Sequence, residues 1–101
     1  MTEADDQRKF ILWCARQGYF ARKVVSVGSK GWPDLFCGNP ATRRCMLLEL
    51  KADGGRVGAH QTQTAKLLRR CGVIVGVAYS LEEAKIQAAA FLGPGANTTS
   101  K

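Results

Sequence analysis

The stretch Gly31-Trp32-Pro33-Asp34-Leu35-Phe36-Cys37-Gly38, followed by a turn and then Cys45-Met46-Leu47-Leu48-Glu49-Leu50-Lys51, decides how the chain is read. Both runs are apolar, yet Asp34 opens the first and Glu49 and Lys51 close the second. Side chains of a strand alternate between faces, so Glu49 and Lys51 share one face while Leu48 and Leu50 share the other. If the runs pair as an antiparallel hairpin, Asp34 stands at the start of one strand and Glu49 at the end of its neighbour. The three ionisable groups then converge at one end of a sheet. Carboxylates so placed offer hard oxygen ligands for Mg²⁺ or Mn²⁺. Such an ion lowers the pKa of a bound water and neutralises charge developing on a phosphate. Lys51 would orient that water or stabilise transition-state charge. A solvated Glu-Lys pair on a surface hairpin is the plainer reading of Glu-x-Lys alone; Pro-Asp at the head of an apolar run strengthens the first reading. Proline also has a local role, since its fixed φ suits the start of a strand.

Pro33-Asp34 with Glu49-Leu50-Lys51 resembles the PD-(D/E)xK signature of metal-dependent nucleases. The wider pattern adds Gly31 before Pro33-Asp34, Leu48 before Glu49, then Arg56-Val57, Gln61, and Gly72 closing the next helix. It resembles the virus-type replication-repair nuclease (VRR-NUC) family in its stand-alone, phage-like minimal form. The resemblance covers nearly the whole chain and rests on spacing more than on any one residue. It implies a restriction-endonuclease-like core and a Mg²⁺- or Mn²⁺-dependent endonuclease that hydrolyses DNA phosphodiester bonds. It also implies selectivity for branched DNA, Holliday-junction-like or flap, in replication, recombination or repair. By the same resemblance Asp34, Glu49 and the Leu50 backbone carbonyl are metal ligands, Lys51 serves the nucleophilic water or the transition state, and Gln61 assists. Glu3, near the start of the first helix, becomes a further ligand, although Asp5 and Asp6 beside it show how ordinary an acid is in a first helical turn. The chain departs from the family at Trp32, usually small or basic, and at Val57-Gly58, usually Leu-Ser, which removes a helix-capping hydroxyl.

The 101 residues predict a single domain over 1–92 with a flexible tail over 93–101. The formal net charge of +7 points to a polyanionic partner, with nucleic acid ahead of a membrane surface. Where the acids lie supports this. Glu3, Asp5 and Asp6 start one helix, Glu82 and Glu83 start another, and Asp34 and Glu49 form the cluster, leaving only Asp53 against the intervening basic residues. The DNA contacts expected are Lys30, Trp32, Arg56 and His60, with Lys66, Arg69 and Arg70 as a basic helix edge. Trp32 would stack on a splayed base or cover the start of the strand. Arg43 and Arg44 fall at the far end of the hairpin. No Gly-Lys-Ser/Thr phosphate loop is present, and no organic cofactor is implied. The acidic N-terminus does not suit a signal peptide, and no membrane span is expected. Cys14, Cys37, Cys45 and Cys71 lack metal-site spacing and are read as small core hydrophobes in the reducing cytoplasm of a bacterium or a phage-infected host.

Periodicity predicts a helix over 3–17, capped by Thr2 and stopped at Gly18. Phe10, Ile11, Cys14 and Ala15 form its core stripe. Leu12 and Trp13 widen that stripe, so this helix is covered on two sides or meets a second subunit, and a two-fold homodimer would set two sites on two strands. Strands follow over 19–27, 34–38 and 45–51; the last is apolar on both faces, hence central. After a glycine-rich loop over 52–58 come a helix over 59–71, a buried strand over 73–79 reached by a parallel crossover, and a last helix opened by the capping box Ser80-Leu81-Glu82-Glu83. The result is an α/β fold, α-β-β-β-α-β-α, with a mixed four-stranded sheet flanked by helices. Two functional alternatives are a non-catalytic basic nucleic-acid-binding module and a nuclease for RNA.

Overall fold

A computed structural model of the chain describes residues 2–25, 31–51 and 56–95. Its elements are α1 (Glu3–Gln17), β1 (Phe20–Lys23), β2 (Leu35–Asn39), β3 (Arg44–Leu50), α2 (Ala59–Arg70), β4 (Val75–Ala78) and α3 (Leu81–Leu92). Among the described residues they form the expected mixed sheet, in the order β1-β2-β3-β4. The β1–β2 and β2–β3 pairs are antiparallel, and β4 joins β3 in parallel. β3 is therefore internal, as its apolar run demands.

Local chemistry sets the helix ends. Thr2 Oγ1 accepts the Asp5 N–H and the Asp5 carboxylate accepts the Thr2 N–H, which closes a capping box at α1. Gly18, at φ 85°, stops that helix in the left-handed region. The box at α3 is half closed. Ser80 Oγ accepts the Glu83 N–H, but the Glu83 carboxylate accepts from Tyr79 instead of Ser80. α2 opens at Gly58 without a hydroxyl cap, and Gln61 Oε1 accepts the Gly58 N–H at 3.0 Å in its place.

The β2–β3 register pairs Leu35 with Leu48 and Cys37 with Met46. With Ala21, Leu50 and Ala78 these residues make one face of the sheet, and all are buried. Phe10 and Cys14 of α1 and Ala84, Ala88 and Leu92 of α3 complete this core. Apolar burial of this kind stabilises by roughly 25 cal/mol per Å². α3 comes close because Gly76 lacks a side chain: a Cβ there would overlap the Gln87 amide, whose Nε2 donates to the Val77 carbonyl at 2.8 Å. The hairpin turn packs on the other end of α3. Asn39 Nδ2 and Thr42 Oγ1 donate to the Leu92 carbonyl, and Arg44 Nη1 donates to the Phe91 carbonyl, satisfying terminal helix acceptors.

Several expectations change. β1 spans four residues, not 19–27; beyond it the Val24 N–H reaches the Asp34 carbonyl, Val25 is exposed, and 26–30 lie outside the described residues. β4 is an edge strand, so Ile74 and Tyr79 beside it are exposed rather than buried. Cys14 and Cys37 are core residues whose thiols burial pushes well up, but Cys45 and Cys71 are exposed. Cys45 lies opposite Gly38 on the sheet face away from α1 and α3, and Cys71 follows the last turn of α2. Trp13 belongs to this chain's own core, its ring 5.8 Å from those of Phe10 and Tyr19, whereas Leu12 is 52% exposed. The segment after α3 is held through Gly95: the Tyr19 hydroxyl donates to the Gly93 carbonyl, and Gly95 is buried against Gln17. Residues 96–101 lie outside the described residues. No helix among the described residues is long and apolar enough to cross a membrane.

Candidate active site

One step beyond the Leu35–Leu48 pair, the β2–β3 register sets Asp34 opposite Glu49. The alternation of β3 turns Glu49 away from Leu48 and Leu50, onto the face that α2 approaches. There it is only 3% exposed. Its Oε2 accepts from Gln61 Nε2 at 2.6 Å and pairs with Lys51 Nζ at 3.2 Å. Its Oε1 is buried and receives no hydrogen bond. Gln61 therefore has two tasks: its oxygen caps α2 and its amide nitrogen fixes Glu49.

Gly31 brings the helix and the Asp34 segment together. It sits at φ 89°, and a Cβ there would overlap the His60 carbonyl and crowd Thr64 Oγ1. A left-handed glycine is what permits this approach. Lys51 is set by its own N–H, which donates to the Ala78 carbonyl at 2.8 Å and extends the parallel ladder past the end of β3.

Electrostatics single out the same pair. Burial pushes the Glu49 carboxyl up to about 7, and the charge of the Asp34 carboxyl adds to this. Lys51 pulls the other way and is outweighed. Carboxyls this close cannot both ionise without something between them. A proton or a cation meets that need, and the bare Glu49 Oε1 offers it an oxygen. The donor set fits Mg²⁺ or Mn²⁺, since such ions are held by one or two carboxylates together with water and phosphate oxygens.

The structure thus gathers Asp34, Glu49, Lys51 and Gln61. Leu50, with its side chain in the core, runs its backbone between Glu49 and Lys51. Glu3 stands apart from this group. It lies in the first turn of α1, which packs on the opposite face of the sheet, and among the described residues no three His, Cys, Asp or Glu side chains group to hold a metal. Trp32 is 41% exposed, two positions ahead of Asp34. Arg56, His60, Lys66 and Arg70 are exposed before and along α2. Arg69 Nη2 donates to the Val75 carbonyl at 2.8 Å, so this arginine ties α2 to β4. Lys30 and the glycines Gly54 and Gly55 lie outside the described residues.

One basic residue on this face escaped the sequence reading. Arg22 pairs with Phe36, and Phe36 pairs with Leu47, so the three share the face of Glu49. The alternation of 20, 22 and 24 is the signal that finds it, once the register of β1 is known.

A mixed sheet whose paired strands deliver Asp34, Glu49 and Lys51 to one end, between helices, is the PD-(D/E)xK type of fold. The chain belongs to the VRR-NUC domain family, whose model matches residues 21–82. Among solved structures it is similar to a VRR_NUC domain at 23% identity, covering 89% of this chain and 96% of that one with a TM-score of 0.73. A second VRR_NUC domain protein matches at 19% identity over 94% and 91%, with a TM-score of 0.78. Hjc from Archaeoglobus fulgidus, a Holliday junction resolvase, shares the fold at 20% identity over 75% and 67%, with a TM-score of 0.56. No curated protein matches the chain.

Proposed function

We propose that the protein is a Mg²⁺- or Mn²⁺-dependent endonuclease that hydrolyses phosphodiester bonds in branched DNA. The observation that carries this reading is Glu49: one oxygen is fixed by Gln61 and Lys51, while the other is buried, without a donor, in a carboxyl that shares its site with Asp34. Asp34 and Glu49 would hold the cation, with the Leu50 carbonyl beside them. When bound, the ion supplies Lewis acidity and charge neutralisation at the phosphate. Gln61 keeps Glu49 in one rotamer. Lys51, its ammonium at the mouth of the pair, stabilises the negative charge that accumulates on the phosphate. A net charge of +7 and the exposed Arg56, Lys66 and Arg70 favour a polyanionic strand over a small substrate.

The preference for branched DNA rests on the fold shared with a junction resolvase and is an analogy of fold. A homodimer would place two sites on two strands, and the exposed Leu12 on α1 offers an apolar contact for it. Sedimentation tests this part separately: a monomer at working concentration removes the dimer and leaves the chemistry.

The experiment compares cleavage of labelled four-way junction, flap, duplex and single-stranded DNA, and of matched RNA, in Mg²⁺, Mn²⁺ and EDTA. Wild type is set beside Asp34→Ala. Metal-dependent cutting, strongest on branched DNA and lost in the variant, is expected. Binding without cutting in every metal would replace the nuclease with a binding module.

A further inference from the structure

Arg22 stands apart from the other cations of the site face. Its guanidinium lies over the Phe20 ring, 4.3 Å from the centroid, and its Nη1 donates to the Ala21 carbonyl at 2.8 Å. Phe20 is itself steadied by Phe36, edge-on at 6.2 Å between centroids. An exposed arginine ordinarily samples many rotamers; this one is held by a ring and a carbonyl. No Asp or Glu among the described residues pairs with it. Phe20 remains 49% exposed, so the platform is open to solvent.

The register gives the distance to the chemistry. Arg22 lies two strands from β3 and one same-face step from the row of Asp34 and Glu49. At ~4.8 Å between strands and ~3.4 Å per residue, its backbone is roughly 12 Å from that of Glu49. The guanidinium turns back over Phe20, to the side away from that row, so its charge stands further along the sheet from Asp34 and Glu49 than its backbone does.

We propose that Arg22, braced by Phe20, is a phosphate-binding residue that grips the substrate strand at a phosphate removed from the scissile one. This rests on the nuclease reading, whereas the phosphate contact itself is a property of binding. A fixed, unneutralised guanidinium with free N–H groups suits a phosphate oxygen better than it suits a base edge. The contact is formed in ground state and transition state alike, so it acts on binding and positions the strand without taking part in bond cleavage.

The test measures binding of a flap DNA in EDTA across a salt series, followed by cleavage kinetics in Mn²⁺, for wild type, Arg22→Gln, Arg22→Lys and Phe20→Leu. Arg22→Gln should weaken binding about tenfold and reduce the slope of log affinity against log salt by about 1, with KM raised and kcat within about twofold. Arg22→Lys should restore the slope. Phe20→Leu should keep the slope and weaken binding about threefold, because the charge stays while its brace is lost. An unchanged slope and KM in Arg22→Gln would overturn the proposal even if wild type cuts DNA. If wild type binds but never cuts, the nuclease reading fails and the slope alone decides the phosphate contact. No binding by wild type overturns both.

Discussion

The two faces of the sheet are made from alternate residues of the same strands, and they are built to opposite ends. On one face Leu35, Cys37, Leu48, Leu50 and Ala78 are closed over by α1 and α3. On the other, α2 reaches over β4 and the Glu49 end, while Phe20, Cys45 and Arg22 stay exposed. Leu48 and Glu49 are neighbours in sequence and both buried, yet the first stabilises the fold and the second carries a carboxyl pushed up to about 7. Strand alternation therefore lets the protein confine electrostatic strain to one face without loosening the other. A register slip of one residue would exchange the two sets, which is why the hairpin must be so firmly pinned at Asn39.

The comparison breaks most visibly if site-face variants unfold the protein. Lys51→Ala should lose cleavage by at least about a thousandfold while its thermal unfolding stays near wild type; a fully active variant would remove Lys51 from the chemistry. On the core face, Leu48→Ala should cost about 3 kcal/mol in urea unfolding, the usual order for a leucine emptied from a closed core. A loss under about 1 kcal/mol would mean that α1 and α3 do not seal that face. Gln61→Leu sharpens the contrast, because its partner is Glu49 and not the core. Its cleavage should fall about 10- to 100-fold, as for residues that orient metal ligands, and a wild-type rate would reduce Gln61 to a helix cap.

The smallest effect is a matter of pH. Burial beside Asp34 pushes the folded Glu49 carboxyl up to about 7 from its ordinary 4.5, so the folded state holds the extra proton between these values. The stability this contributes is full below about pH 4.5 and lost as pH rises through 7. In chelator, Glu49→Gln should therefore melt higher than wild type at pH 8, by roughly 5 °C, and nearly together with it at pH 4.5. A variant that melts lower at pH 8 would reverse the sign and discard the strain.

What the sequence shows of this arrangement follows the range of the interactions. The ends of α1 were legible because Thr2, Asp5 and Gly18 act within a turn. The meeting of Asp34, Glu49 and Lys51 was legible because it needs only period-two alternation and one hairpin. The burial of Glu49 was not, since it depends on α2 docking through Gly31, a contact between distant segments. Cys37 and Cys45 read alike in sequence and differ only in which sheet face the helices cover. Val24 and Val25 have strong strand propensity, but β1 is an edge strand that ends at Lys23, and only the Val24 N–H still reaches the Asp34 carbonyl beyond it. The side of the sheet taken by α1 is likewise tertiary.

The most direct measurement is thermal unfolding of the chelated protein titrated with Mn²⁺, run on wild type, Glu49→Gln and Leu48→Ala. A cation held between Asp34 and Glu49 raises the melting temperature of wild type and of Leu48→Ala by the same increment and leaves Glu49→Gln unmoved. An equal rise in Glu49→Gln, or none in wild type, would contradict a cation site on this face of the sheet.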